Sequence, residues 1–128
     1  MGLVLCPRLI ADEPRRDGVA LMSEKSSKRL RLEASLADDP TDTFLRYGLA
    51  LQCVNEGDVT EGRDRLRALI ADHPRDQVPA YQQLGQSFMA TGEADEARRW
   101  FREGIALAKA TGDMHAAGEM DGFLSQIG

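Results

Sequence analysis

The chain has little aromatic area, with one tryptophan, two tyrosines and four phenylalanines in 128 residues, so its core must come mainly from aliphatic packing. It has two cysteines, Cys6 and Cys53, too few and too far apart in sequence for a disulfide scaffold. A reducing compartment would keep both as thiols. His73 and His115 have no cysteine or histidine near them at metal-ligand spacing, which excludes a structural zinc site. The sequence lacks any run of about 18 apolar residues, so no membrane-spanning helix is expected. Nor is there a surplus of positive charge. The formal net charge is -5, and such a surface repels a polyanion, so nucleic acid is not an expected partner.

The first stretch, MGLVLCPRLIADEPRR, has an apolar run only from Gly2 to Cys6 and no basic residue ahead of it, unlike a secretory signal. LVLC has a loose likeness to the lipid-attachment site of bacterial lipoproteins, but Leu5 stands where that site has a small residue. ADEPRRDG has the composition of a turn or disordered segment, and Met22-Ser23 reads as an ordinary start. Residues 1–22 are therefore expected to be a disordered extension or the product of a misassigned start codon, with the folded domain spanning 23–128. A cytoplasmic location is the accompanying expectation.

Beyond that segment the chain repeats itself. Leu49 and Leu84 lie 35 residues apart, and the same offset carries Ala50 onto Gly85, Cys53 onto Phe88, Gly57 onto Gly92, Glu61 onto Glu96 and Leu66 onto Phe101. Leu45, Leu49, Ala50 and Cys53, and again Tyr81, Leu84, Gly85 and Phe88, recur at helical spacing, so each set forms one buried stripe. Gly57 and Gly92 should end these helices, and Asp58 with Glu61, then Glu93 with Glu96, supply acidic starts to the next; the first pair approaches a capping box. Leu32 stands eight residues before Pro40 as Leu66 stands eight before Pro74, so residues from about Ser27 to Asp38 read as the second helix of a partial copy. After TGD at 111–113, Ala117, Met120, Leu124 and Ile127 give a last helix its apolar stripe, and it should cap the open end. The total is about six helices and an all-α fold.

This pattern resembles the tetratricopeptide repeat, a helix–turn–helix unit of about 34 residues. The second copy carries Tyr81-x2-Leu84-Gly85-x2-Phe88, then Ala97-x3-Phe101, with Lys109 where the closing proline would stand, so its second helix should run on towards Thr111. The first copy keeps Leu49, Leu66 and Pro74 but has Arg46, Ala50, Cys53 and Gly62 at the other pattern positions. Gly62 in a helix interior costs about 1 kcal/mol relative to alanine. The resemblance implies helical hairpins stacked as a short right-handed α-solenoid, with small residues where helices cross.

It further implies a function by surface rather than by covalent chemistry. GDVTEG and TGEADEA lack the lysine and hydroxyl of a phosphate-binding loop, His115 reads as a surface histidine and Cys53 as an inert core residue, so no enzyme and no cofactor are expected. The first helix of each unit in this family lines a concave groove. Its stripe here is Phe44, Tyr47, Leu51 and Val54, then Pro79, Gln82, Gln86 and Met89. These suit a short helix or extended peptide of a protein partner, unless the helix at 27–38 covers Phe44 and Leu51. Lysine and asparagine, which some members use on this stripe to grip a C-terminal carboxylate, are replaced by Tyr47, Leu51, Gln82 and Gln86, so that partner class is disfavoured. The alternative is a structural module that pairs with a second copy as a homodimer. KSSKRLR at 25–31 reads as a solvated basic face. Trp100, whose counterpart is Arg65, is either an exposed contact or packed against the last helix.

Overall fold

Six helices follow one another through residues 25–128, the part of the chain that the computed structural model describes; the expected extension at 1–22 lies outside the described residues. They are α1 (Ser27–Asp38), α2 (Thr43–Asn55), α3 (Val59–Asp72), α4 (Val78–Ala90), α5 (Ala94–Thr111) and α6 (Met114–Ile127). No strand occurs among the described residues. As expected, α5 runs on to Thr111 past the position where a proline would have stopped it.

Local chemistry sets most of the helix ends. Ser26 Oγ accepts the Arg29 N–H at 3.0 Å, Asp42 Oδ1 the Leu45 N–H at 3.0 Å, and Asp113 Oδ1 the Ala116 N–H at 3.1 Å, each satisfying a donor that a helix start leaves free. Gly57 and Gly92 take φ of +91° and +78°. That left-handed turn lets the Asp58 N–H reach Cys53 O and the Glu93 N–H reach Phe88 O, both at 2.9 Å, closing the helix ends.

Asp58 corrects an expectation. Its side chain makes no cap bond to α3. It accepts instead from Arg29 Nη2 at 3.0 Å, and Glu61, the other half of the expected capping box, accepts from the same nitrogen at 2.9 Å. The solvated-face reading of residues 25–31 fails at the same point, because Arg29 is only 2% exposed. A buried guanidinium needs compensating charge, and the turn between α2 and α3 supplies it. Burial alone would lower the Arg29 pKa, but the Asp58 hydrogen bond and neighbouring negative charge more than offset it and raise it.

Arg63 stands 34 residues after Arg29 and repeats the manoeuvre one hairpin later. Its Nε donates to Ser87 Oγ at 2.8 Å, its Nη2 to Ser87 O and Thr91 Oγ1 at 2.9 Å each, and its guanidinium lies 4.0 Å from the Phe88 ring centroid. The second helices α1 and α3 are thus each clasped onto the turn of the next hairpin. At the following equivalent, Arg98 pairs with Asp95 of its own helix at 2.7 Å.

Packing within the hairpins needs glycine where the helices cross: Gly62 in the first copy, and Gly85 with Gly104 in the second. In α4–α5 a Cβ on Gly85 would stand 2.5 Å from Phe101 Cε1, so the Phe101 ring occupies the space the glycine leaves. In α2–α3 the glycine is Gly62, where a Cβ would collide with Val54 Cγ2 and come within 2.9 Å of the Ala50 carbonyl oxygen. The helix-propensity cost of Gly62 therefore accompanies a close approach that alanine could not make. One continuous core joins α2 to α6 around Leu66, Leu84, Phe101 and Met120, all fully buried. Phe101 stacks on Phe123 of α6 with centroids 5.3 Å apart, which seals the end of the array.

Candidate functional site

Each helix packs on its successor, and α2 also touches α4, as α4 touches α6. That alternation sets α2, α4 and α6 side by side and leaves their free faces lining one shared surface. Tyr47 of α2 and Pro79 of α4 border two adjoining cavities there. One, of about 210 Å³, is flanked by Phe44, Asp76 and Gln77. The other, of about 250 Å³, is closed on its far side by Asp113, His115, Ala116 and Glu119. Further along, Gln86, Met89 and Phe123 line a third of about 210 Å³.

Phe44 is 83% exposed, so α1 does not cover it. Tyr47, Gln82, Gln86 and Met89 are half-buried along the same surface, and burial pushes the Tyr47 phenol above its usual pKa, with Gln83 partly offsetting the rise. Leu51 and Val54 are also half-buried but line none of these cavities; Val54 leans on Gly62 inside the hairpin. Trp100 is buried, 7% exposed, with its ring 5.9 Å from that of Tyr81.

The last helix contributes more than a cover. Glu119 accepts from Gln82 Nε2 at 3.4 Å and faces His115 Nε2 at 3.4 Å, so α6 supplies polar groups to the groove. The sequence reading gave this helix only the role of capping the open end. The available signal was the repeat itself: an offset of 36 or 37 residues, instead of 35, carries Pro79, Gln82 and Gln86 onto His115, Glu119 and Phe123. His115 is exposed and Glu119 is its only ion-pair partner among the described residues. Cys53 is buried, and burial raises its pKa, which leaves it a thiol. Among the described residues no group of three metal-ligating side chains comes together, and no helix is long and apolar enough to cross a membrane.

Helical hairpins stacked in series, with a groove along their first helices, define an α-helical repeat solenoid. The sequence model of the tetratricopeptide repeat family matches residues 23–108, and the chain belongs to that family. The TPR repeat-containing protein PA0015 of Pseudomonas aeruginosa is 29% identical over 96 residues, which cover 75% of this chain and 90% of the relative. The solution structure of protein BPP2914 from Bordetella parapertussis matches with a TM-score of 0.71 at 26% identity, over 80% of this chain and 88% of that one. Tetratricopeptide repeat proteins generally serve as non-enzymatic scaffolds, and for this chain the family points to a scaffold for protein–protein interaction.

Proposed function

We propose that this protein is an interaction adaptor that binds a peptide or helix of a partner protein in the groove along α2, α4 and α6. Phe44, Tyr47, Gln82, Gln86 and Met89 are the residues proposed to contact it, with Phe123 of α6 completing the far end; Leu51 and Val54, also on the expected stripe, lie outside the cavities. The observation that carries the reading is Phe44: a large apolar side chain left 83% exposed at the rim of a cavity that continues along the groove. Binding would remove that ring from water, and a desolvated aromatic anchor is the usual source of affinity at such a surface. Half-buried amides at Gln82 and Gln86 are suited to backbone groups of an extended segment.

The test is a pull-down from the native host with wild type and with Phe44→Ala plus Gln86→Ala. A partner retained by wild type and lost by the variant supports the groove; partners retained equally by both reject it. Sedimentation at rising protein concentration separates the rival reading, since a dimer that Phe44→Ala abolishes would make the groove a self-association surface.

A further inference from the structure

We infer that the segment this groove accepts is cationic: a stretch of partner protein in which lysine or arginine flanks an apolar side chain. The inference rests on the groove being the docking surface and adds the chemistry of the occupant. Three carboxylates border the two adjoining cavities, Asp76 beside Phe44, and Asp113 and Glu119 across from Tyr47. Among the described residues no lysine or arginine lines these cavities or the third, and His115 is the one basic side chain there.

Scarcity of cations does not explain this, because the chain has 16 lysines and arginines. Seven arginines among the described residues are held elsewhere. Arg29 and Arg63 clasp hairpin turns, Arg46 pairs with Asp72 at 2.9 Å, and Arg65, Arg67, Arg98 and Arg99 each pair with a carboxylate on their own helix. Asp76, Asp113 and Glu119, by contrast, have no lysine or arginine within ion-pair distance among the described residues. Asp76 accepts only from its neighbour Gln77, Asp113 caps α6 through Ala116, and Glu119 faces Gln82 and His115. Arg75, next to Asp76 in the same loop, does not line the cavity.

Negative charge with no lysine or arginine partner along such a groove focuses the field there and draws cations to it. The same charge repels an acidic segment, so it selects the partner as well as speeding the encounter. The apolar contacts supply affinity; the carboxylates choose which sequence receives it.

The experiment is fluorescence anisotropy with the full chain and two labelled peptides of equal length, one alternating lysine with leucine and one alternating glutamate with leucine. The lysine peptide should bind at least about tenfold more tightly, and its affinity should fall as salt is raised from about 0.05 to 0.5 M. Asp76→Asn with Glu119→Gln should weaken it at least about threefold. Asp64→Asn with Glu103→Gln removes equal charge from outside the groove and should leave binding unchanged. Equal binding of both peptides, an equal effect of the two double variants, or no binding of the lysine peptide at about 1 mM overturns the inference. If both peptides bind equally and Phe44→Ala weakens both, charge selection fails while the groove stands as the docking surface.

Discussion

Arg29 Nη2 and Glu61 Oε1 stand 2.9 Å apart although 32 residues separate them in the chain. The contact ties α1, which has no hairpin partner among the described residues, to the start of α3, one repeat before the place where Arg63 ties α3 to the end of α4. Among the described residues the buried Arg29 Nε has no hydrogen-bond partner and only Glu33 at 3.6 Å, so they do not fully satisfy the clasp. Its effect is to fix the register of one unit on the next, with apolar packing contributing most of the stability.

Removing that side chain should loosen α1 before anything else. Hydrogen bonds to charged groups contribute about 1.5–3 kcal/mol each, and the partial exposure of Asp58 and Glu61 reduces this through solvent screening. Arg29→Ala is expected to cost about 2 kcal/mol in urea unfolding. Amide exchange should accelerate in α1 while α4 and α5 keep their protection. Arg29→Lys should recover only part of the loss, because one ammonium cannot span both carboxylates as the guanidinium fork does.

Acid should act on the same junction. The Arg65 hydrogen bond, with the charges of Arg65 and Arg29, holds Glu61 below the usual carboxylate range despite its partial burial, and hydrogen bonds from Ser26 and Gln52 lower Glu56. A carboxylate whose folded pKa is depressed contributes stability present above its unfolded value, about 4.3, and lost as pH falls through the folded one. The urea midpoint should hold steady from about pH 7 to 5 and decline below about pH 4.5. Glu61→Gln should lower the midpoint at neutral pH and make the acid decline shallower.

Glycines separate into two kinds by what surrounds them. Gly85→Ala drives a methyl into the Phe101 ring, and Gly62→Ala drives one against the Ala50 carbonyl, so both should destabilise by about 1–3 kcal/mol. Gly118 and Gly122 lie on the exposed side of α6 with nothing within 4 Å of an added Cβ. Alanine at either should stabilise by up to about 1 kcal/mol through helix propensity alone. Thermal unfolding of the four single variants checks both signs.

The fold was legible because its determinants are local and periodic. The stripe from Leu45 to Cys53, its copy from Tyr81 to Phe88, and the glycines at 57 and 92 announce helices and turns without reference to anything distant. Arg29 was not legible in that way. Within KSSKRLR it has the same neighbours as any solvated cation, and only the acidic turn some 30 residues on, which reads equally well as a capping box, decides that it is buried. The α6 side of the groove was hidden for a related reason: a one- or two-residue change in repeat length shifts which helix face looks inward, and periodicity measured over two copies does not fix it for a third. Gly62 likewise reads as a weak helix residue until Val54 and the Ala50 carbonyl are seen against it.

Trp100 offers a spectroscopic check. Its ring is buried against Tyr81, with the Arg99 guanidinium 4.8 Å from its centroid, and its Nε1–H has no acceptor among the described residues. Emission should be blue-shifted and resistant to acrylamide, and red-shifted emission with full quenching would contradict the packing. Trp100→Phe removes the unpaired donor along with some apolar area, so it should change stability by less than about 1 kcal/mol, whereas Trp100→Ala should cost about 3–5 kcal/mol.

Phe44 and Phe101 have the same side chain and opposite expected roles. Phe101 is fully buried over Gly85 and stacked on Phe123, so truncation opens a cavity between α4, α5 and α6 that the rigid helix crossing cannot refill. Phe101→Ala should cost about 3–5 kcal/mol, most of the stability such a domain has, and the urea transition should move to low denaturant or disappear. Phe44 is 83% exposed and lies in the first turn of α2, two residues after the Asp42 cap, so alanine there removes little packing and slightly favours the helix. Phe44→Ala should shift stability by no more than about 0.5 kcal/mol. Any binding defect of Phe44→Ala would then belong to the groove surface and not to unfolding, provided its urea midpoint matches wild type. A large destabilisation by Phe44→Ala would mean that the ring is packed in solution and that the groove begins further along, at Tyr47.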